Sequence, residues 1–154
     1  SNTEPKILIT DNNQNKNKIH SSFDLIKMPN IIGRGIYCNE DNITTDGIFP
    51  SKYTYIENLS DKELARLAMK NYDDNFFKLS KQGDILLSGY NFGIGSSREQ
   101  AVTSLKAKGI ELIIAASFSS IFMRNALNNG YGLIECPSLI IKLSKLFSRS
   151  KKKL

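Results

Sequence analysis

The chain has 154 residues, about the size of one ordinary domain, with 40% hydrophobic and 23% charged residues, a balance that fits a globular fold and excludes the disordered and membrane classes. No apolar run reaches the roughly 18 residues a spanning helix needs, and the opening has no signal-peptide pattern, so no membrane partner is expected. The net charge of +6 gathers in "NQNKNK" and "SRSKKKL" without an aromatic or groove motif beside it, which reads as solvated segments and makes a nucleic-acid partner an unfavoured expectation.

Two cysteines, Cys38 and Cys136, and the single histidine, His20, stand at unrelated spacings. They offer neither a disulfide framework nor the three or four ligands of a metal or iron-sulfur site, so no metal is expected on this chain. Buried free thiols in a reducing compartment and a solvated His20 are the expectations. Ser1 and Asn2 read as an expression scar and residues 148–154 as a basic tail, so residues 1–154 are expected to be one domain excised from a longer chain.

In chain order, "PKILIT" has the composition of a short strand and is followed by a polar linker or loop, "DNNQNKNK". "IIGRGIYC" predicts a second strand, and Asn39 to Pro50 an ordered loop. "LSDKELARLAMKNY" predicts a helix opened by a reciprocal capping box between Ser60 and Glu63, with Leu64, Leu67 and Ala68 on one face. "GDILLSGY" is a strand, "REQAVTSLKAKG" a helix stopped by a left-handed Gly109, and "IELIIAASF" another strand. "SSIFMRNALNNG" is a helix closed by Gly130, "YGLIEC" a strand, and "PSLIIKLSKLFSR" an amphipathic helix with Pro137 in its first turn. Strand, turn, helix and strand in this order predict an α/β fold with parallel crossovers, whose glycine-rich turn lies at the carboxyl edge of the sheet.

That turn is "NFGIGSSREQA", residues 91–101. Gly93 and Gly95 free the backbone for unusual dihedrals and close ligand approach. A helix start supplies N–H donors, and Arg98 adds a planar fork suited to a carboxylate or phosphate. The dinucleotide fingerprint fails for want of a third glycine, no Gly-Lys-Ser/Thr follows for a P-loop, and the nucleophile elbow lacks its closing glycine. Two readings of the serines stand side by side. Ser96 with Glu99, or Ser97 with Gln100, spells a capping box worth about 1 kcal/mol; or the serines face a bound anion.

"GYNFGIGSSREQA" resembles the signature of the swivelling β/β/α domain of the aconitase superfamily, a mainly parallel sheet with flanking helices. Further matching blocks are "NITTDGIFPSKYTY", "IIAASFSSIFMRNALNNG" and "LIECP", in family order over residues 32–140. The stretch "KYTYIENLSDKELARLAMKNYDDNFFKL" is most similar to the fungal homoaconitase branch, whose swivel domain ends a much longer chain.

The resemblance implies reversible dehydration and hydration of a tricarboxylic acid substrate, homoaconitate to homoisocitrate, in α-aminoadipate lysine biosynthesis in the mitochondrial matrix. It also implies a [4Fe-4S] cluster bound by the cluster-bearing domains of the same enzyme, which acts as Lewis acid on the leaving hydroxyl, so this domain alone is expected to be inactive. Carried over by motif, Ser96 is the catalytic base, and Ser97, Arg98 and the backbone at Gly95 bind substrate carboxylate. Asp46 of "TTD" matches the acidic position at the site's edge, where it orients substrate or a partner group or forms an ordinary Asx turn, and Thr45, also placed among the substrate-binding residues, shapes the same loop. Asn91 and Phe92 are expected to support the turn, and Arg124 either packs in its helix or braces the site. The neighbouring expectation is the small subunit or domain of 3-isopropylmalate dehydratase, distinguished by a loop between Pro50 and Gly83. From another class, a non-catalytic anion or RNA-binding module using the basic tail is the alternative.

Overall fold

The computed structural model describes residues 6–8 and 33–150, with backbone alone for 6–8 and 148–150. His20, the polar segment after the first strand and the end of the basic tail lie outside these residues. Five strands are present: β1 (Lys6–Leu8), β2 (Gly35–Cys38), β3 (Ile85–Ser88), β4 (Leu112–Ala115) and β5 (Leu133–Glu135). The helices are α1 (Thr45–Ile48), α2 (Asp61–Leu67), α3 (Phe76–Leu79), α4 (Glu99–Lys108), α5 (Ser120–Asn128) and α6 (Pro137–Ser150). The sheet order is β1-β5-β4-β3-β2. Neighbours from β2 to β5 pair in parallel, and β1 lies antiparallel on β5 with Ile7 opposite Ile134. The mainly parallel α/β architecture is therefore as expected.

Aliphatic density explains the strands. "ILLS" and "LIIA" have no polar face to give to water, as central parallel strands covered by helices require. Leu86, Ile113 and Leu133, one from each of β3, β4 and β5, are fully buried. Beyond the strand ends, two isolated parallel bridges, Thr44 to Ile94 and Phe92 to Phe118, carry the pairing onward. The rings of Phe92, Phe118 and Phe122 fill the space beneath, with Phe92 edge-on to Phe122 at 5.2 Å.

Three local readings change. The Ser60 capping box forms as expected, with Ser60 Oγ accepting from Glu63 N–H at 3.2 Å and Glu63 Oε2 accepting from Ser60 N–H at 2.8 Å. The helix nevertheless ends at Leu67, and Met69 takes a φ of 56°. Met69 is fully buried and donates its N–H to the Ile48 carbonyl at 2.7 Å. Docking that side chain into the core outweighs the modest propensity that would have continued the helix.

Second, the segment Asn39 to Pro50 is more than a loop. Thr44 caps α1 by accepting Gly47 N–H at 3.0 Å, and Ile48, Phe49 and Pro50 are buried. Third, α4 begins at Glu99 with Arg98 as its N-cap in extended conformation, and no side chain caps it. The capping boxes read at Ser96/Glu99 and Ser97/Gln100 do not form, because the two serines lie before the cap position. Gly109, at φ 87°, ends α4 as expected. Both cysteines are free, but only Cys38 is buried, its thiol pushed up to about 12 by burial, while Cys136 remains half-exposed.

Candidate functional site

The β3–α4 turn is held from both sides by backbone. Gly93 N–H donates to the Ile43 carbonyl at 2.8 Å and Thr45 N–H to the Ile94 carbonyl at 2.9 Å. On the other flank, Phe92 N–H reaches the Ser117 carbonyl and Ser119 N–H the Phe92 carbonyl, each at 3.0 Å. Asn91 turns the chain at φ 56°, its amide bonded to Asn42 Oδ1 at 2.9 Å. Asn91 and Phe92 thus support the turn.

Gly93 and Gly95 are required for separate reasons. At Gly93, φ is 81° and a Cβ would run into the Phe122 ring. At Gly95, φ is 120° and a Cβ would stand 3.1 Å from Thr45 Oγ1. Thr45 is only 3% exposed. Its hydroxyl is packed beneath Gly95, so within this chain Thr45 shapes the floor of the turn.

Past Gly95 the chain surfaces. Ser96 and Ser97 are exposed and Arg98 is half-buried. Ser97 Oγ accepts from the Asn125 amide at 3.2 Å, whereas Ser96 Oγ has no hydrogen-bond partner among the described residues. Arg98 spends one nitrogen on the protein: Nη1 donates to the Phe49 carbonyl at 3.1 Å and faces Asp46 Oδ1 at 3.4 Å. Nε and Nη2 have no partner among the described residues. The guanidinium, its side chain 15% exposed, is anchored at Nη1 and has two nitrogens left for a ligand.

Asp46 Oδ1 accepts from Ser51 Oγ at 2.7 Å and Ser51 N–H at 2.8 Å, and the Asn71 amide donates to Oδ2 at 3.2 Å. The Ser51 hydroxyl and amide, then Asn71 and Arg98, hold this carboxyl below its ordinary value against a smaller opposing effect of burial. Asp46 also lines a cavity of about 360 Å³ with Glu40, Asn42, Thr44, Asn71 and Tyr72. Ser96 and Arg98 do not line it.

The structure therefore brings Gly95, Thr45, Asp46 and Arg98 together and sets Ser96 and Ser97 on the same turn. Arg124 does not brace them. It is exposed, with no hydrogen bond or ion pair among the described residues, and the contact from α5 comes from its neighbour Asn125. Asn125, Ser51 and Asn71 were not singled out in the sequence: Asn125 reaches Ser97 and Asn71 reaches Asp46 through tertiary packing, while Ser51 meets Asp46 locally, five residues along the chain, as part of no spaced motif.

Residues 9–138 match the family model of the aconitase C-terminal domain. The chain belongs to that family. Among curated relatives, the mitochondrial homoaconitase of Candida albicans is 51% identical over 117 residues, 76% of this chain and 17% of that protein. That of Candida glabrata is 50% identical over 124 residues, 80% of this chain and 18% of that protein. The chain thus spans less than a fifth of the length of these relatives. A solved 3-isopropylmalate dehydratase from Methanocaldococcus jannaschii is 46% identical, with a TM-score of 0.57 covering 61% of this chain and 55% of that one.

Aconitase-family enzymes imply an iron-sulfur cluster, and the donor set described here does not fit one. No group of three or more His, Cys, Asp or Glu side chains converges among the described residues, and Cys38 is sealed in the core. No helix among them is long and apolar enough to cross a membrane.

Proposed function

We propose that this chain is the swivel domain of a homoaconitate hydratase, a hydro-lyase that interconverts homoaconitate and homoisocitrate in α-aminoadipate lysine biosynthesis. The observation that carries this reading is the pairing, on one turn, of an exposed and unpartnered Ser96 hydroxyl with an Arg98 guanidinium that is anchored at one nitrogen and open at two. Had Ser96 capped α4, as its spacing to Glu99 allowed, the pairing would have an ordinary structural explanation. It does not cap the helix.

In the dehydration direction, Ser96 Oγ takes the proton from the carbon α to a substrate carboxylate. The C–H electron pair becomes the new double bond as hydroxide departs from the adjacent carbon, and a proton from solvent converts that hydroxide to water. A hydroxyl is a weak base, so its ionised form must be stabilised locally. The N-terminal dipole of α4, worth about 0.3–1 kcal/mol at an exposed site, and the positive charge of Arg98 favour the alkoxide.

Arg98 accepts the substrate carboxylate on its open edge, and Ser97, steadied by Asn125, donates beside it. Charge that builds on that carboxylate as the proton leaves is met by a guanidinium already in place. Gly95 keeps the approach free of a side chain, and Thr45 supports it from below. Asp46 acts on the substrate through Arg98. The [4Fe-4S] cluster is assigned to the enzyme's other domains, so the isolated chain is inactive on this reading. A mitochondrial location accompanies it, as in the relatives' names, and the matrix belongs to the same proposal.

The similarity to 3-isopropylmalate dehydratase favours a second reading, the small subunit or domain of that enzyme in leucine biosynthesis. The two share the turn and differ in the substrate's variable arm, which faces the segment between Pro50 and Gly83. Joining this chain to its cluster-bearing domains and comparing turnover of homoaconitate, isopropylmaleate and cis-aconitate tests both. Preference for homoaconitate is expected; preference for isopropylmaleate selects the second reading, and turnover of none of the three defeats both. A polyanion binder would instead bind RNA with an affinity falling steeply with salt.

A further inference from the structure

Asp46 is held more firmly than a residue whose side chain is 48% exposed on a one-turn helix requires. The bonds from Ser51 are local, five residues along the chain. Those from Asn71 are not. Reaching back from beyond α2, 25 residues away, the Asn71 amide donates to the Asp46 backbone carbonyl at 3.1 Å and to its Oδ2 at 3.2 Å. One side-chain amide thus grips both the backbone and the carboxylate of the same residue.

We infer that Asn71 is a positioning residue that keeps the Arg98 fork open for substrate by preventing Asp46 from closing on it. The inference rests on the carboxylate-binding role given to Arg98 above. Asp46 now presents a single oxygen to Arg98, at 3.4 Å from Nη1 alone, because Oδ2 is committed to Asn71. A carboxylate released from that commitment, still held at Oδ1 by Ser51 at 2.7 and 2.8 Å, can pivot about Oδ1 to turn its second oxygen to the guanidinium and form the parallel two-bond pair that arginine and carboxylate favour. Such a pair would occupy donors that the substrate carboxylate needs. Asn71 holds the pair in its weak, one-pronged form.

The consequence is a competition within the protein, and its signature is a loss of substrate affinity without a matching loss of turnover at saturation. Asn71 is exposed, so its replacement does not open the core. In the complete enzyme, Asn71→Ala is expected to raise KM for homoaconitate, and Kd for the unreactive tricarboxylate tricarballylate, by about ten-fold, the scale of one charge-assisted hydrogen bond. Its kcat and melting temperature stay close to wild type. Asn71→Ser, too short to span both acceptors, is expected to behave alike.

Asp46→Asn removes the competing charge, so adding Asn71→Ala to it should change neither constant further, a non-additivity that loss of an unrelated structural contact would not produce. Unchanged KM and Kd in Asn71→Ala, a fall confined to kcat, or an undiminished effect in the Asp46→Asn background overturns the inference while leaving the hydratase reading intact. If the wild-type complete enzyme neither turns over homoaconitate nor binds tricarballylate, the hydratase reading fails first and this inference falls with it.

Discussion

Two strand-to-helix turns lie side by side at the carboxyl edge of the sheet, and both place a pair of serines before a helix. In the β4–α5 turn, Ser119 is the N-cap: its Oγ accepts Phe122 N–H at 3.2 Å and donates to the Gly93 carbonyl at 2.8 Å. In the β3–α4 turn the serines stop short of the cap position, Arg98 occupies it with its side chain turned away, and Ser96 remains without a partner among the described residues. Similar residue types are thus spent on stability in one turn and withheld in the other. An uncapped helix forgoes about 1 kcal/mol, a cost consistent with a site that has another use for its serine.

The difference between the two turns is tested first at Ser96. Ser96→Ala in the complete enzyme is expected to lower kcat by a factor of roughly 10³, the middle of the range for loss of a positioned base, with the urea midpoint unchanged. Turnover near wild type would return Ser96 to the status of an ordinary surface serine. Next is Gly93→Ala, which meets both a positive φ and the Phe122 ring at the seam between the turns. It is expected to cost about 3 kcal/mol in chemical denaturation, and to reduce the yield of folded protein.

Ser119→Ala should give the opposite profile to Ser96→Ala. A loss of about 1–2 kcal/mol is expected from the missing cap and its bond to Gly93, with kcat changed only as far as the neighbouring turn loosens. Equal effects of the two substitutions on stability would erase the distinction between the turns. The smallest effect belongs to the bonds that Ser51, then Asn71 and Arg98, make to Asp46.

Because the folded-state value of Asp46 lies below the ordinary 3.8, its ionised form stabilises the fold at all pH above that value, and the contribution is lost as pH falls through the depressed one. With the side chain 48% exposed, solvent screening keeps the term small. The denaturation midpoint of Asp46→Asn should lie slightly below wild type at pH 7, and the gap should close below about pH 4. A gap that widened on acidification would contradict the assigned direction.

Much of the architecture was legible along the chain. Aliphatic runs such as "DILLS" and "ELIIA" become adjacent parallel strands, Ser60 and Glu63 close their capping box, and Gly109 stops its helix, because each depends on residues a few positions apart. The exceptions are instructive. α2 was read through to Tyr72, but Met69 is drawn into the core beside Ile48, a partner 21 residues earlier that no local pattern announces. Arg124 was expected to pack in its helix or brace the site, yet it is exposed and the helix presents Asn125 to Ser97.

The sequence by itself determined the strands β2 to β5, the helices α4, α5 and α6, the parallel class and the turn on which the chemistry is proposed to sit, since propensity, capping and glycine dihedrals are set by near neighbours. Only the tertiary structure decided which serine is a cap and which is left free, where the Arg98 fork is anchored, and that Asn71 reaches Asp46 from beyond α2. Those outcomes follow from how helices of fixed length dock on a shared sheet. Docking is settled by packing over the whole core, and its sub-ångström results are not encoded in any short stretch of residues.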